Sequence, residues 1–562
     1  MQILHEESIC RKSWKDRVGF PGGKARGPGL DSFPLFEIRS LTFRYPDGHT
    51  ALNGVDLELY EGERIALVGQ NGAGKTTLVK HLNGLNMPSA GTVLYKGETL
   101  DGSRLRAARL EVGMLFQDPD DQLFSNTLDE DVAFGPFNQG LRRYEVERRV
   151  VEALEKVGLE HLRYRPPHYL SFGQKKRAAL ATLLSMDPKV LILDEPTANL
   201  DPKQEKLFQE LIGSFSGTLI CISHDLPFLY SLCERAVVLE KGGIHHDFTM
   251  EELVSRRQYL RDHGLDFTFR LSCCRDNGNS DHRAPHLHLA GPSQPLPHPK
   301  SQEDGSDVKP VKSLIGLRDY SYRYPDGTTG VRDVSLFIAE GESVAIVGEN
   351  GAGKSTLVSC LAGILEGTGE YVFDGARVSG KFRKNLWRSI GVVFQDPADQ
   401  LFCPSCREEV AFGPLQLRLS PSEVNGLVDE ALALVRLSGF ENRVPHHLSA
   451  GERKRLAIAA VLAMRPRVMI LDEPTSNLDP RSEELLCEIL SNLDITKVLI
   501  SHDIDIISLL CRRVLVMHHG MIIRDYSTSD FLHDGQLVSI NGIDYTFKNA
   551  CCREILRLQG DA

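Results

Sequence analysis

The chain has 562 residues and a net charge of −11, and its length indicates two to four domains because one hydrophobic core does not extend over so many residues. Its 41% apolar and 25% charged residues are typical of a globular protein. The acidic balance argues against broad nucleic-acid binding, which requires a basic surface. No apolar run approaches the roughly 18 residues needed to cross a bilayer.

The N-terminal segment, residues 1–34, carries scattered Lys, Arg and Gly but no apolar stretch, so it does not resemble a secretory signal. We predict that it is a disordered tail, with a misplaced start codon as the alternative. The chain contains twelve cysteines. Without a secretory signal, these cysteines indicate reduced thiols in a cytosol.

One long segment of the sequence occurs twice. LFQDPDDQLF at 115–124 returns as VFQDPADQLF at 393–402, and other matching residues precede and follow it in the same order. This pattern predicts a duplicated domain, over 35–275 and 312–562, and not a solenoid of short repeats. The intervening segment 276–311 is rich in Pro, Gly, Ser and His and is predicted to be a linker.

Aliphatic strands alternate with helical segments within each copy. ERIALVG (63–69) and VLILD (190–194) are continuous aliphatic runs, typical of strands buried on both faces of a parallel sheet. QKKRAALATLLSM (174–186) has the composition and apolar spacing of a helix. The prediction is an α/β domain, present twice.

A glycine-rich loop follows an aliphatic strand in each copy, as GQNGAGKT at 69–76 and GENGAGKS at 348–355. Both fit the phosphate-loop pattern, in which backbone N–H groups surround phosphate oxygens at the start of a helix. The lysine is expected to reach the β- and γ-phosphates, and the next hydroxyl to ligate Mg²⁺. A plain glycine-rich turn is the alternative, and two equivalent occurrences make it hard to sustain. The predicted nucleotide contacts are Gly69, Asn71, Gly72, Gly74, Lys75, Thr76 and Thr77 in the first copy, and Gly348, Asn350, Gly351, Gly353, Lys354, Ser355 and Thr356 in the second.

Two acidic residues end an aliphatic strand in LILDEPT and again in MILDEPT. Asp194 and Asp472 are predicted Mg²⁺ ligands, because hard cations prefer carboxylate oxygens. Glu195 and Glu473 are predicted to polarise the attacking water as general bases. Acids that only cap a strand end are the alternative, but that reading does not explain their pairing with the phosphate loops.

The octets LSFGQKKR (170–177) and LSAGERKR (448–455) complete the set, and with them the sequence resembles the ATP-binding-cassette (ABC) ATPases. The resemblance covers nearly all of both halves. It implies two tandem P-loop NTPase domains, each with a mostly parallel core sheet, an antiparallel β subdomain and a helical subdomain. It also implies that two residues of each octet bind the γ-phosphate of ATP held by the opposite domain, namely Ser171 and Gly173, and Ser449 and Gly451.

The signature octets depart from the family pattern at three positions. Phe172 and Ala450 replace the usual first Gly, and Glu452 replaces Gln. The donors remain in place, so the departures bear on the energy with which the domains close. A plain N-capped helix is the alternative interpretation.

Four further pairs of residues match the family's motifs. Their implied roles are stacking on adenine, contact with Mg²⁺ from the Q-loop, crossing between domains in the D-loop, and γ-phosphate contact by a switch histidine. In that order, the pairs are Tyr45 with Tyr324, Gln117 with Gln395, Asp201 with Asp479, and His224 with His502. An ordinary core or turn tyrosine is the alternative for the first pair, and a structural histidine for the last.

The extended form QDP-x-DQLF, with FRYPDG or YRYPDG upstream and EDVAFGP or EEVAFGP downstream, resembles a narrower group. This group is the ATPases of energy-coupling factor (ECF) transporters, importers of vitamins and transition-metal ions. The resemblance implies ATP and Mg²⁺ as cofactors, and ATP hydrolysis coupled to transport. It implies a coupling transmembrane protein and a substrate-binding membrane protein as partners, and a peripheral location on the cytoplasmic face of the membrane.

The same resemblance implies that each ATP is bound by the phosphate loop of one copy and the signature octet of the other. Both copies keep every motif residue named above. We therefore expect two hydrolytic sites, unlike tandem sugar-importer ATPases, in which one site is often degenerate.

Two other interpretations remain open from the sequence. A tandem ABC ATPase acting on ribosomes or nucleic acid without a membrane partner is disfavoured by the acidic charge and by the presence of Cys10 alone near the N-terminus. Metal sensing is chemically reasonable for the linker histidines and for the repeated Cys-Cys pairs. The residues concerned are His282, His286, His288, His298, Cys273, Cys274, Cys551 and Cys552. The histidines are interpreted as a solvated spacer, and Cys403 with Cys406 as structural.

Overall fold

The structure is a computed structural model that describes residues 33–262, 265, 313–533, 555, 557 and 558. The chain divides into two compact units, whose main bodies lie before and after Arg275. The predicted tail lies almost wholly outside the described residues, and so do the linker and the paired cysteines at the end of each copy. The exact domain bounds therefore stay a prediction.

The first copy contains, among its described residues, ten strands and nine α-helices. The strands are β1 (Phe36–Arg44), β2 (Thr50–Leu59), β3 (Arg64–Val68), β4 (Ala90–Tyr95), β5 (Glu98–Thr99), β6 (Val112–Leu115), β7 (Val190–Asp194), β8 (Thr218–Ile222), β9 (Arg235–Glu240) and β10 (Gly243–Thr249). The helices are α1 (Lys75–Leu82), α2 (Gly102–Glu111), α3 (Leu128–Asn138), α4 (Arg143–Lys156), α5 (Phe172–Leu184), α6 (Pro202–Gly213), α7 (Leu226–Leu232), α8 (Met250–Ser255) and α9 (Arg257–Asp262).

The second copy, within its described residues, repeats the strands and eight of the helices. The strands are β11 (Ser313–Arg323), β12 (Thr329–Ala339), β13 (Ser343–Val347), β14 (Thr368–Phe373), β15 (Ala376–Arg377), β16 (Ile390–Val393), β17 (Val468–Asp472), β18 (Thr496–Ile500), β19 (Arg513–His518) and β20 (Met521–Ser527). The helices are α10 (Lys354–Leu361), α11 (Gly380–Arg383), α12 (Cys406–Gln416), α13 (Pro421–Leu434), α14 (Ala450–Leu462), α15 (Pro480–Ser491), α16 (Ile504–Leu510) and α17 (Thr528–His533).

Each copy has a six-stranded central sheet, ordered β10-β9-β3-β8-β7-β6 in the first and β20-β19-β13-β18-β17-β16 in the second. Neighbouring strands are parallel except at one edge, where β10 and β20 pair antiparallel with β9 and β19. A separate four-stranded antiparallel sheet has the order β2-β1-β4-β5, and β12-β11-β14-β15 in the second copy. The expected α/β class, with a mostly parallel core sheet and an antiparallel β subdomain, is confirmed.

Both faces of the central sheet are buried, which explains why its strands are continuously aliphatic. In the first copy, Ile192 and Ile220 pack into one apolar cluster together with Phe36 of the antiparallel sheet. The alternate residues Leu191 and Leu193 pack into a second cluster, formed with α3 to α7. Each such side chain contributes about 1.5–3 kcal/mol when fully buried, so the sheet fixes the position of every loop that leaves its edge.

The helical subdomain of the first copy consists of α3, α4 and α5, which contact one another. The predicted helix at 174–186 begins two residues earlier, at Phe172, and ends at Leu184. It begins there because Ser171 is the N-cap: its hydroxyl accepts the Gln174 backbone N–H, and the Gln174 side chain accepts the Ser171 N–H. None of the helices in the described ranges is long and apolar enough to cross a bilayer.

Candidate functional site

The phosphate loops connect β3 to α1 and β13 to α10, at the carboxyl edge of the parallel sheet. Gly74 caps α1 with φ 101°, and a Cβ at that position would lie 2.6 Å from the Ala51 carbonyl oxygen. Gly353 caps α10 with φ 100°. Only glycine adopts such a backbone without strain while remaining this close to a neighbouring chain. The loops therefore direct backbone N–H groups and a helix N-terminus to one point, as anion binding requires.

The loop lysines lie folded along their own loops. Lys75 Nζ donates to the carbonyls of Gly69 at 2.7 Å and Gln70 at 3.0 Å. Lys354 Nζ does the same with Gly348 at 2.6 Å and Glu349 at 3.0 Å. Burial lowers the pKa of Lys75, although the nearby Glu195 and Asp194 oppose the shift. Both cations are thus held beside the loop where a phosphate would lie.

Two of the three residues predicted to ligate Mg²⁺ in the first copy are in contact. The Thr76 side chain hydrogen-bonds Asp194, the last residue of β7, and burial raises the pKa of that carboxyl. Burial likewise raises the pKa of Asp472 at the end of β17. Hydroxyl and carboxylate oxygens that meet in this way fit a hard divalent cation.

The predicted bases follow these aspartates at a strained turn. Glu195 has φ 46° and Glu473 has φ 42°, in the left-handed region that non-glycine residues rarely adopt. Burial raises the pKa of Glu195 to about 7 and that of Glu473 to about 8, with Lys75 and Lys354 opposing the shift. A carboxyl that titrates near neutral pH can exchange a proton with a water molecule at that pH.

The switch histidines lie against these carboxylates. In the first copy, His224 Nε2 is 3.4 Å from Glu195 Oε1 and 3.0 Å from Asn71 Oδ1 of the phosphate loop. In the second, His502 Nε2 is 3.7 Å from Glu473 Oε1 and 3.2 Å from Lys354 Nζ. Burial, aided by the Lys354 charge, lowers the pKa of His502 to about 3. His502 is therefore neutral and can accept a hydrogen bond from the lysine.

The tyrosines proposed to stack on adenine lie beside the same loops. Tyr45 OH is 3.0 Å from Thr77 Oγ1, and Tyr324 OH is 2.9 Å from Thr356 Oγ1. Each tyrosine is 36% exposed, and its ring packs edge-on against Phe43 or the counterpart Tyr322 in the second copy. An exposed aromatic face tethered to the first turn of α1 or α10 is positioned for stacking on a base.

The Q-loop glutamines, Gln117 and Gln395, are exposed and follow β6 and β16. β6 lies next to β7 and β16 lies next to β17. The carboxyl ends of parallel neighbours share one edge of a sheet. Both glutamines therefore lie on the same edge as Asp194 and Asp472.

The signature residues lie in the helical subdomain. Ser171 and Ser449 are exposed N-caps of α5 and α14, and Gly173 and Gly451, two residues later in the first turn, are buried. Glu452 replaces Gln without loss of the capping box, since Ser449 N–H donates to Glu452 Oε2 at 2.7 Å. An N-capped helix start is present at the signature octet of both copies.

The D-loop aspartates are both buried. Asp201 is the N-cap of α6 and accepts the Gln204 N–H at 2.8 Å. Asp479 directly precedes α15. Since Asp201 caps a helix, it has a structural role in addition to the one that the resemblance implies.

Two pairs of buried or anchoring residues were missed by the sequence analysis. Lys176 Nζ donates to the Glu195 carbonyl at 2.9 Å, and Lys454 Nζ donates to the carbonyls of Glu473 at 2.9 Å and Gln395 at 2.6 Å. Burial lowers the pKa of both lysines to about 8. These lysines join the signature helix to the turn that carries the predicted base. Their occurrence in both octets, at one position, was the available signal.

The second missed pair is the later glutamine of the repeated decamer. Gln122 Nε2 donates to the Ala179 carbonyl at 2.9 Å and to Thr182 Oγ1 at 2.8 Å, both on α5. Gln400 Nε2 donates to the Ala457 carbonyl on α14 at 3.5 Å. The decamer is thereby attached to the signature helix.

The last residue of each decamer forms an exposed aromatic pair. Phe124 is 67% exposed and packs edge-on against Phe134, with ring centroids 5.1 Å apart. Phe402 is 65% exposed and packs in the same way against Phe412, at 5.0 Å. Exposed apolar residues that recur at one place in both copies indicate a contact surface.

The chain is similar in sequence to several known proteins. The family described as ABC transporter matches residues 52–198 and 331–476. A protein of Methanosarcina acetivorans, provisionally named an ABC transporter ATP-binding protein, is 35% identical over 92% of this chain and 89% of its own. A similarly named protein of Streptomyces avermitilis is 47% identical over 43% of this chain and 92% of its own. The solved structure of cbiO1 from Clostridium perfringens, described as part of the ABC transporter complex cbiONQ, is 38% identical, covers 42% of this chain and 96% of that one, and has a TM-score of 0.37.

Proposed function

The chain belongs to the ABC transporter family of ATP-binding proteins, and we propose on that premise that it is the ATP-hydrolysing subunit of an importer for a micronutrient, either a vitamin or a transition-metal ion. Membership in the family implies ATPase activity. The observation that carries the proposal is that a phosphate loop, an acidic pair and a histidine follow parallel strands of the central sheet in both copies. The extended Q-loop pattern supports the ECF type of importer, with a coupling transmembrane protein and a substrate-binding membrane protein as partners. The chain would then act at the cytoplasmic face of the membrane.

The phosphates of ATP would be bound by the loop N–H groups and by Lys75 or Lys354. When ATP binds, each lysine would exchange its hydrogen bonds to the loop carbonyls for hydrogen bonds to phosphate oxygens. The Thr76 hydroxyl and the Asp194 carboxylate would hold Mg²⁺, with Gln117 beside them on the same sheet edge. When bound, Mg²⁺ neutralises charge on the β- and γ-oxygens.

Glu195 and Glu473 would accept the proton of the attacking water. Their buried positions keep them protonated to a higher pH than an exposed carboxyl, so a fraction of each is ionised at neutral pH and is strongly basic there. His224, which contacts both Glu195 and Asn71, would fix the position of the carboxylate relative to the phosphate loop. Lys176 and Lys454 fix the backbone of the bases and are positioning residues.

Two composite sites would couple hydrolysis to motion. A nucleotide drives closure of two domains only if it makes more contacts in the closed state. A change from 1% to 99% closed requires about 5.5 kcal/mol of differential binding. Two triphosphates, each gaining charge-assisted hydrogen bonds of about 1.5–3 kcal/mol from Ser449 and Gly451 or Ser171 and Gly173, would supply it.

The double substitution Glu195→Gln with Glu473→Gln tests this function. It preserves size and hydrogen bonding but removes both bases, so we expect ATP to bind while steady-state hydrolysis falls by about 10²–10⁴-fold. A fluorescent-nucleotide titration and a phosphate-release assay measure the two quantities. Normal turnover by the double variant would refute the assigned bases.

Membrane partnership is tested through the exposed aromatic pairs. Phe124→Ala with Phe402→Ala removes exposed rings, so each substitution should change the free energy of unfolding by no more than about 0.5 kcal/mol. We expect the protein to lose co-purification with membrane proteins while its partner-free ATPase is kept. Phe137→Ala is the matched control, because Phe137 is 57% exposed on α3, the helix that also carries Phe134. Recovery of the unaltered chain with ribosomes instead of membrane proteins would favour the other class of tandem ABC ATPase.

A further inference from the structure

A second cluster of chemically active side chains lies beside the phosphate loop of the second copy. Glu349 of that loop, His518 at the end of β19 and His519 in the following turn each offer one ligand atom, and these atoms lie within 4.8 Å of one another. Within the part of the chain that the structure describes, no other group of three His, Cys, Asp or Glu residues has ligand atoms this close together. It belongs to none of the roles assigned above.

The cluster has the geometry of an ion site more than that of an ion pair. His518 Nδ1 lies 3.0 Å from Glu349 Oε1, yet this nitrogen is buried and makes no hydrogen bond of acceptable geometry. The rings of His518 and His519 lie 4.1 Å apart, and His519 is exposed, so an ion can enter from solvent. Ligand atoms around a tetrahedral ion with bonds of about 2.0–2.1 Å lie roughly 3.3 Å apart, so small side-chain rotations suffice.

Two imidazoles and one carboxylate define the ion that the cluster would accept. Imidazole favours borderline transition metals, whereas Mg²⁺ and Ca²⁺ prefer sites composed of oxygen ligands. We propose that Glu349, His518 and His519 bind a divalent transition-metal ion of the Zn²⁺ or Co²⁺ type, and that this ion attaches the second phosphate loop to the turn between β19 and β20. The proposal is independent of what the transporter carries.

The loop and the turn are already joined by their backbones. Gly520 N–H donates to the Ala352 carbonyl at 2.8 Å, and a Cβ at Gly348 would collide with the Met517 carbonyl oxygen. Glu349 also provides, through its own carbonyl, one of the two acceptors that hold Lys354 Nζ. An ion on the Glu349 side chain would therefore restrain a residue that anchors the phosphate-binding lysine.

The first copy supplies a matched control within the same chain. Gly242 N–H donates to the Ala73 carbonyl at 3.1 Å, and a Cβ at Gly69 would collide with the Leu239 carbonyl oxygen, so the backbone connection is the same. The positions of the three ligands are occupied there by Gln70, Glu240 and Lys241. The site is thus specific to the second copy.

The first experiment is a calorimetric titration of the full chain, without an affinity tag, with ZnCl₂ in the absence of nucleotide. The variant His518→Glu with His519→Lys carries the first copy's residues at two of the three positions, and its backbone is tolerated because Lys241 has φ 48° where His519 has φ 45°. We expect the unaltered chain to bind one more Zn²⁺ than the variant, with at least about 100-fold weaker binding at this site in the variant. Equal stoichiometry and affinity would overturn the proposal, whatever the linker histidines bind.

Two further measurements are independent of folding defects. The reverse variant, Gln70→Glu with Glu240→His and Lys241→His, should gain one Zn²⁺ and should give a Co²⁺ absorption spectrum like that of the second-copy site.

Hydrogen exchange should slow at least about threefold at 348–352 and 517–520 when Zn²⁺ replaces EDTA, and should not change at 69–73 and 239–242. Equal effects in both copies, or no effect in either, would contradict the proposed site. Mg²⁺ at millimolar concentration should not compete.

Discussion

The two phosphate loops share one backbone but differ in the side chains around it. Gly69 and Gly348 have φ 153° and 156°, and both loop lysines donate to the same two carbonyl positions. His224 of the first copy contacts Asn71 of its phosphate loop, whereas His502 of the second copy contacts Lys354. Duplication has therefore preserved the positions fixed by glycine and by the sheet edge, and the electrostatic surroundings of each site have diverged.

The largest expected difference between the copies is in the pH dependence of hydrolysis. Removing one base lowers hydrolysis at that site by about 10²–10⁴-fold, so the remaining turnover reports the other base. The base must be unprotonated, so kcat/KM should rise with pH through about 7 for Glu473→Gln and through about 8 for Glu195→Gln. Steady-state assays from pH 5.5 to 9 would measure both curves. Coincident midpoints would show that the two sites are electrostatically equivalent.

The same carboxyls predict how stability changes with pH. Their folded pKa values lie above the ordinary 4.5, so the folded state retains protons that the unfolded state has already released. The free energy of unfolding contributed by these groups should fall as pH rises from about 4.5 through 7 for Glu195 and through 8 for Glu473. Thermal unfolding at pH 8.5 should therefore give a higher Tm for the double Gln variant than for the unaltered chain. A lower Tm at that pH would contradict the buried, raised-pKa state.

A smaller effect, on thermal stability and on hydrolysis, is expected from replacing the buried Lys454. Lys454→Met removes the donor to the partly buried carbonyls of Glu473 and Gln395, and the loss costs up to about 1–3 kcal/mol for a carbonyl left without a partner. Since 1 kcal/mol corresponds to roughly 2–4 °C for a unit of this size, we expect Tm to fall by several degrees and hydrolysis at that site to fall with it. Arg453→Met, one residue earlier on α14, should leave both unchanged. A loss of Tm without a loss of activity would limit Lys454 to folding.

The smallest effect is expected at the capping residue that departs from the family pattern. Glu452→Gln should change the free energy of unfolding by less than about 0.5 kcal/mol, because Gln174 makes the equivalent capping box in the first copy. Chemical denaturation would measure it. A change above 1 kcal/mol would show that the charge of Glu452 has a role beyond capping.

The sequence predicted those features that depend on local pattern. The parallel strands are continuous aliphatic runs, and the phosphate loop, the acidic pair and the switch histidine each follow such a strand. Their meeting at one sheet edge therefore follows from topology. The predicted bounds of the helix at 174–186 were two residues too late, because the N-cap, and not the apolar run, determines where a helix begins.

The contacts that sequence reasoning missed join residues far apart in the chain. Lys176 reaches Glu195, Gln122 reaches α5, and Glu349 meets His518 only because strands β13 and β19 are neighbours in the sheet. A lysine in a basic octet and a histidine pair before a glycine look like ordinary surface residues. Their burial and partners depend on the order of the strands, which periodicity alone does not give.

The left-handed backbone at Glu195 and Glu473 has a consequence for engineering the protein. Glycine or asparagine would adopt that turn with less strain, so a library sorted for heat tolerance alone will enrich substitutions that relax it. Such clones would keep their shape and nucleotide affinity but would have lost the carboxylate. Sorting for heat resistance should therefore be alternated with sorting for turnover.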